Sequence, residues 1–130
     1  MGLSNYLETK LIDHLLRGVP YTPPSTVYIS VHTADPGETG ASEVSGNGYS
    51  RYAYTCNQTS WSNVSGVAKN SNLITLPVAT GDWGAVTHFG IWDASTGGNL
   101  LFSGALTVTK VVNQADTVSF PVDFLNIVFD

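Results

Sequence analysis

Apolar residues near the start of the chain fall at Leu7, Leu11 and Leu15, with Ile12 and Leu16 beside them. That three-to-four spacing makes one apolar stripe on a helix. Ser4 stands where an N-cap belongs, and Gly18 followed by Pro20 is a stop signal, so a helix is expected over residues 4–17. An isolated helix of this length is marginal in water, so its leucines must dock either on a sheet of the same chain or on a neighbouring subunit. Pro20, Pro23 and Pro24 fix φ and remove backbone donors, which makes 20–24 a stiff linker.

Beyond the linker the period changes to two. Val27, Ile29 and Val31 alternate with Tyr28, Ser30 and His32, the pattern of a half-buried strand over Thr26–Thr33. Shorter strand patterns follow at Arg51–Cys56, Val67–Ser71, Leu73–Leu76, Leu106–Val112, Thr117–Val122 and Leu125–Phe129, separated by turn residues, Asn57–Asn63 among them. The most pronounced pair is Val86–Asp93 and Asn99–Gly104, two aromatic-rich runs flanking a polar loop that ends in Gly97-Gly98, which reads as a β-hairpin. Within it Phe89, Ile91, Leu100 and Phe102 are expected to form a core spine, with Trp92 on the opposite face meeting the helix. Strands about every ten residues predict a mainly β fold, an antiparallel β-sandwich or barrel with one N-terminal amphipathic α-helix. One domain over residues 1–130 is the expectation for this length.

The segment 35–50 breaks the pattern. It is small, polar and glycine-rich, with the acids Asp35, Glu38 and Glu43, so it is expected to be a long exposed, flexible arm. Only 12% of residues are charged and 42% are apolar, against a usual charged share of roughly a quarter. So weakly charged a surface is kept soluble by Ser, Thr, Asn and Gly, or is partly covered by other subunits. The net charge of −5 with no basic run gives nucleic acid no phosphate-tracking surface. Cys56 is the single cysteine, so neither an intrachain disulfide nor a cysteine zinc cluster can form. No run is long enough to span a membrane and no export signal is evident, which predicts a soluble protein made in the cytoplasm.

Catalytic patterns are sparse. There is no phosphate loop, His-Glu-x-x-His or Gly-x-Ser-x-Gly. His88 and Asp93 are close in sequence, but an odd spacing puts them on opposite faces of a strand. Asp35, Glu38 and Glu43 are hard oxygen donors whose spacing matches no calcium loop, and solvated loop charge accounts for them. Trp61 and Trp83 suit either sugar stacking or plugging the ends of the fold. The expectation is a chain with no catalytic residues, metal or cofactor.

Gly2-Leu3-Ser4-Asn5-Tyr6-Leu7-Glu8, Val31-His32-Thr33-Ala34-Asp35-Pro36, Thr87-His88-Phe89-Gly90-Ile91-Trp92-Asp93 and Asn99-Leu100-Leu101-Phe102-Ser103-Gly104 carry a further signal. With them the chain resembles small tailed-bacteriophage virion structural proteins, often labelled tail-fibre proteins. The resemblance implies a non-enzymatic β-domain acting in many copies on a phage particle, with phage capsid or tail proteins as partners. Two roles are compatible with it: a capsid decoration or cement protein that stabilises the assembled shell, and a tail-fibre or tail-tip component that binds a host receptor or glycan. A compact domain with one terminal helix and one arm favours the first, since extended fibre repeats are absent. A homo-oligomer, a trimer for instance, is the expected state. Leu7, Leu11 and Leu15 on the helix, with Asp35, Glu38 and Glu43 on the arm, are the expected partner-binding residues.

Overall fold

The alternating run at Thr26–Thr33 and the aromatic hairpin pair with each other in the centre of the main sheet. The computed structural model describes residues 2–129; Met1 and Asp130, the ends of the expected domain, lie outside the described residues. In order the elements are β1 (Gly2–Leu3), α1 (Asn5–Leu16), β2 (Thr26–His32), β3 (Tyr52–Thr55), β4 (Trp61–Val64), β5 (Val67–Asn70), β6 (Ile74–Thr75), β7 (Gly84–Trp92), β8 (Leu100–Val112), β9 (Ser119–Phe120) and β10 (Asn126–Val128). They form three antiparallel sheets with orders β1-β8-β7-β2-β3, β10-β5-β4 and β6-β9. The fold is mainly β with one helix near the N-terminus, and among the described residues no sheet closes into a barrel.

Register decides the faces of the main sheet. Ile29 lies opposite Ile91 and Val31 opposite Phe89, so these four share one face. Val27, Val86 and, from the smaller sheets, Ile74, Phe120 and Ile127 complete an apolar core around them. Gly104 lies opposite Phe89, and a Cβ there would stand 2.6 Å from the ring, so only glycine leaves the ring its place. The expected spine holds at Phe89 and Ile91 but shifts on β8. A register irregularity after Ile91 brings Leu101 into the core, while Leu100 pairs with Trp92 on the other face and Phe102 is only partly buried.

That other face is not half-exposed as the alternation of β2 predicts. Ser30, His32 and Trp92 on it are buried, because the segment 35–50 folds back over them. Expected as an exposed arm, this segment buries Pro36 and Val44. It also continues the β2 ladder: the Thr33 N–H donates to the Ser42 carbonyl at 3.0 Å and the Val44 N–H to the Val31 carbonyl at 3.1 Å. Backbone hydrogen bonds supply what its side chains cannot. Trp92 therefore meets this loop. Gly40, at positive φ, lies directly against the indole, and a side chain there would collide with the ring.

Two strands lie outside the expected pattern. β4 falls partly inside the polar stretch expected to be a turn, and a reversal through Ser65 and Gly66, both at positive φ, returns the chain into β5. β1 pairs Gly2 and Leu3 with Ser103 and Phe102, too short a run for periodicity to reveal.

Candidate functional site

The helix stripe splits between inside and outside. The Ser4 N–H donates to the Leu101 carbonyl at 2.8 Å and the Ser4 hydroxyl accepts from the Leu7 N–H at 3.2 Å, which seats the first turn against β8. Leu7 is buried and Leu11 packs half-buried against the same core. The chain's own sheet takes up the face that these two residues share. Leu15, one turn further on, is 73% exposed. With Ile12 and Leu16 it forms an apolar ridge at i, i+3 and i+4, all exposed; Val19, also exposed, lies beyond the helix end. Gly18 at φ 70° lets the Val19 N–H turn back to the Asp13 carbonyl at 3.0 Å, which fixes the end of the ridge.

The three acids of the 35–50 segment go to separate places. Asp35 accepts from the Gly37 N–H at 2.9 Å, a local turn. Glu38 accepts from the Asn5 N–H at 2.6 Å, placing its charge at the positive end of α1. Glu43 binds Arg51 through both oxygens, at 2.8 and 2.9 Å. Among the described residues no three of His, Cys, Asp and Glu stand together as around a metal ion.

Arg51 is the hub of the loop-covered face. Its side chain is only 6% exposed; besides Glu43 it donates to the carbonyls of Ala94 and Gly97 at 2.8 and 2.9 Å, and its guanidinium lies 3.8 Å from the Trp92 ring centre. One residue thus ties the 35–50 loop to the hairpin tip. Burial pushes the Glu43 carboxyl up, but the hydrogen bonds from Arg51 and Tyr49 outweigh it and hold Glu43 below the usual carboxylate value. Burial and Glu43 push the Tyr49 phenol far up, so it stays a donor to Glu43 at 2.6 Å.

Beneath this pair runs a polar relay. Trp92 Nε1–H donates to the Ser30 hydroxyl at 2.8 Å, Ser30 Oγ lies 2.7 Å from His32 Nε2, and His32 Nδ1 lies 2.8 Å from the Ala41 carbonyl. A carbonyl can only accept, so Nδ1 carries the proton and Nε2 accepts from Ser30. Burial lowers the His32 pKa and keeps the ring neutral. Gly90 makes room for the relay: a Cβ there would stand 2.6 Å from Ser30 Oγ.

The remaining chemical candidates serve structure. His88 Nδ1 pairs with its neighbour Thr87 Oγ1 at 2.7 Å, and Asp93 accepts from the Asn99 N–H and side-chain amide at 2.7 and 2.9 Å, bracing the hairpin loop. Trp83 is buried with its Nε1–H on the Asn47 carbonyl, which closes it to a sugar, and Trp61, half-buried, packs edge-on against Tyr54.

A second apolar surface was not legible in the strand pattern. Between the pairs Val86/Lys110 and His88/Ala105, Thr87 alone faces four residues of β8, so Leu106–Thr109 bows out of the sheet. Across from this bow runs the segment 118–126. Buried Asn70 pins it: Nδ2 donates to the carbonyls of Phe120 and Pro121 at 3.2 and 3.0 Å, and Oδ1 accepts from the Leu125 N–H at 2.9 Å. Bow and segment enclose an open cleft of about 500 Å³ floored by Phe89, Val118, Phe120 and Leu125. Phe124 and Val108 form its walls, the phenyl ring 67% exposed. The cleft and the helix ridge both present large apolar groups to solvent.

No curated protein matches the chain. The family described as Podophage GP4 fiber I protein gp80 does match, over residues 2–128. With nearly its whole length inside that match, the chain belongs to this family of phage fibre proteins and is a component of the virion.

Proposed function

We propose that the chain is a non-catalytic building block of a phage fibre, held in place by contacts between its exposed apolar surface and other fibre proteins. Membership of a fibre family supports this reading over the capsid-decoration role favoured by the sequence alone. The observation that carries it is the helix ridge, where Leu15 and Leu16 stand 73% and 80% exposed at the end of a stripe whose first half is already buried. Each such side chain left in water forgoes roughly 1.5–3 kcal/mol that burial would supply, and assembly is the ordinary way to recover it. The acids and histidines support the same reading, since those described above are engaged in turns, caps and the Arg51 hub.

Gold labelling of purified particles with an antibody to this chain, together with its copy number per particle by quantitative mass spectrometry, tests the assignment. Label on a fibre with a low copy number is expected. Label spread over the shell at hundreds of copies would overturn it. A folded Leu15→Glu/Leu16→Glu variant supplied in trans should be lost from particles at least tenfold relative to wild type.

A further inference from the structure

We propose that residues 37–46 form an acid-released strap, fastened over Trp92 at neutral pH and detached on acidification while the main sheet beneath stays folded. The strap brings little apolar surface of its own, and Val44 is its one buried side chain. Two backbone hydrogen bonds, from Thr33 to Ser42 and from Val44 to Val31, join it to β2. Its ends are held independently of charge. Pro36 is buried at one end; at the other, the Asn47 carbonyl accepts from the Thr80 N–H and Trp83 Nε1–H, both at 2.9 Å, and Asn47 Nδ2 donates to the Asp82 carbonyl at 2.9 Å. Anchored ends and a weakly packed middle describe a segment that opens locally.

The short side-chain fastenings that tie this middle to the rest of the fold all run through titratable groups. Glu38 accepts from the Asn5 N–H, Glu43 accepts from Arg51 and Tyr49, and the His32 ring donates to the Ala41 carbonyl. One other side-chain tie, from Thr33 Oγ1 to the Ser42 carbonyl, is longer at 3.4 Å and exposed. When the strap leaves, Arg51 keeps its carbonyl acceptors on the hairpin and meets water in place of Glu43.

His32 is the trigger. Its Nδ1–H holds the strap, so a second proton must go to Nε2, where the Ser30 O–H already donates. Ser30 Oγ accepts from Trp92 Nε1–H, and among the described residues it has no further partner to take a displaced hydrogen. Protonation therefore sets donor against donor between two fully buried residues, where an unpaired polar hydrogen is costly. Three charged or titratable groups face the ring. Glu43 on the strap attracts the added charge, whereas Arg51 just before β3 and His88, opposite His32 on β7, repel it. Once the strap is off, water reaches the ring and it titrates at its ordinary 6.5. The open state then binds more protons than the closed one, so acid favours opening.

Amide hydrogen exchange on the intact chain, corrected for intrinsic rates, tests the strap. Thr33 and Val44 report its opening, while Phe89 and Ile91, in the centre of the main sheet, report global unfolding. At pH 7 the first pair should exchange about 100-fold faster than the second and respond little to low urea, which marks local opening. Between pH 7 and pH 5 the opening constant of the strap should rise about tenfold, and His32→Gln should abolish the rise. Gly40→Ala lifts the strap without touching a titrating group, because the added methyl collides with the Trp92 ring. In that variant Thr33 and Val44 should lose protection already at pH 7, while Phe89 and Ile91 stay protected; this arm and the wild-type arm stand even where His32→Gln fails to fold. The proposal is overturned by exchange of all four amides at one rate with one urea dependence, or by an opening constant that does not rise between pH 7 and pH 5. A rise retained in folded His32→Gln, or a Gly40→Ala chain in which Phe89 exchanges as fast as Thr33, overturns it equally.

Discussion

The two faces of the main sheet are both buried, but by opposite means. On one, Ile29, Val31, Phe89 and Ile91 interlock with apolar residues of the smaller sheets, and nothing is required beyond shape and oiliness. On the other, Ser30, His32 and Trp92 lie under a loop fastened by Arg51 and Glu43, and burial works there because the donors and acceptors are paired. The first face fails by leaving a void. The second fails by leaving a charge or a polar atom alone. The two therefore respond to different perturbations, and acid distinguishes them.

Phe89→Ala attacks the apolar face and carries the largest expected cost. Its ring is buried on the core face opposite Gly104, which cannot expand to fill the space. A loss of about 3–5 kcal/mol in urea denaturation is expected, the usual range for emptying a buried aromatic site. The loss should be equal at neutral and mildly acidic pH, since no titrating group is touched. A cost below about 1 kcal/mol would mean that the cleft floored by Phe89 collapses to heal the void.

Glu43→Gln attacks the polar face. It leaves the Arg51 guanidinium buried with its two carbonyl acceptors and the Trp92 ring, but without its counter-charge. Removing one partner of a buried pair costs about 3–5 kcal/mol, and because the Glu43 side chain keeps 20% exposure the expected figure is nearer 2–3. Release of the 35–50 loop should accompany it, read as faster hydrogen exchange at the Val44 amide. A loss equal in size but without faster exchange would show that the loop is held by its backbone ladder and not by Arg51.

Which face was legible follows from what covers it. The apolar face obeys period two, so strand positions and the inward set at Ile29, Val31, Phe89 and Ile91 could be read directly. The polar face depends on contacts distant in sequence: Arg51 reaches Ala94 and Gly97, and His32 reaches Ala41, across turns whose direction no local pattern encodes. The same limit concealed the cleft, since a bow of four residues opposite Thr87 interrupts the alternation without marking it in composition. The helix stripe was legible as a stripe; that it supports itself at Leu7 and Leu11 and overhangs at Leu15 depends on where α1 meets β8.

The smallest expected effect, and the one most specific to the polar face, is its response to pH. Burial holds the folded His32 pKa below the ordinary 6.5, with Glu43 opposing and the Arg51 and His88 charges reinforcing that shift. Between the two values the unfolded chain binds more protons than the folded one. Stability contributed by the neutral ring is therefore full above pH 6.5 and declines as pH falls below it. Glu43 adds a second step of the same sign: its folded pKa lies below the ordinary 4.5, so its contribution is present above 4.5 and is lost on further acidification. Urea denaturation of wild type between about pH 8 and pH 2.5 should show both declines against the background of surface groups. His32→Gln removes the first step and keeps the second, Glu43→Gln removes the second and deepens the first because the opposing charge is gone, and Phe89→Ala lowers the whole curve without changing its shape. If His32→Gln retains the wild-type slope between about pH 6.5 and pH 5, the ring is protonated without loss in the folded state and the relay through Ser30 does not depend on a neutral imidazole.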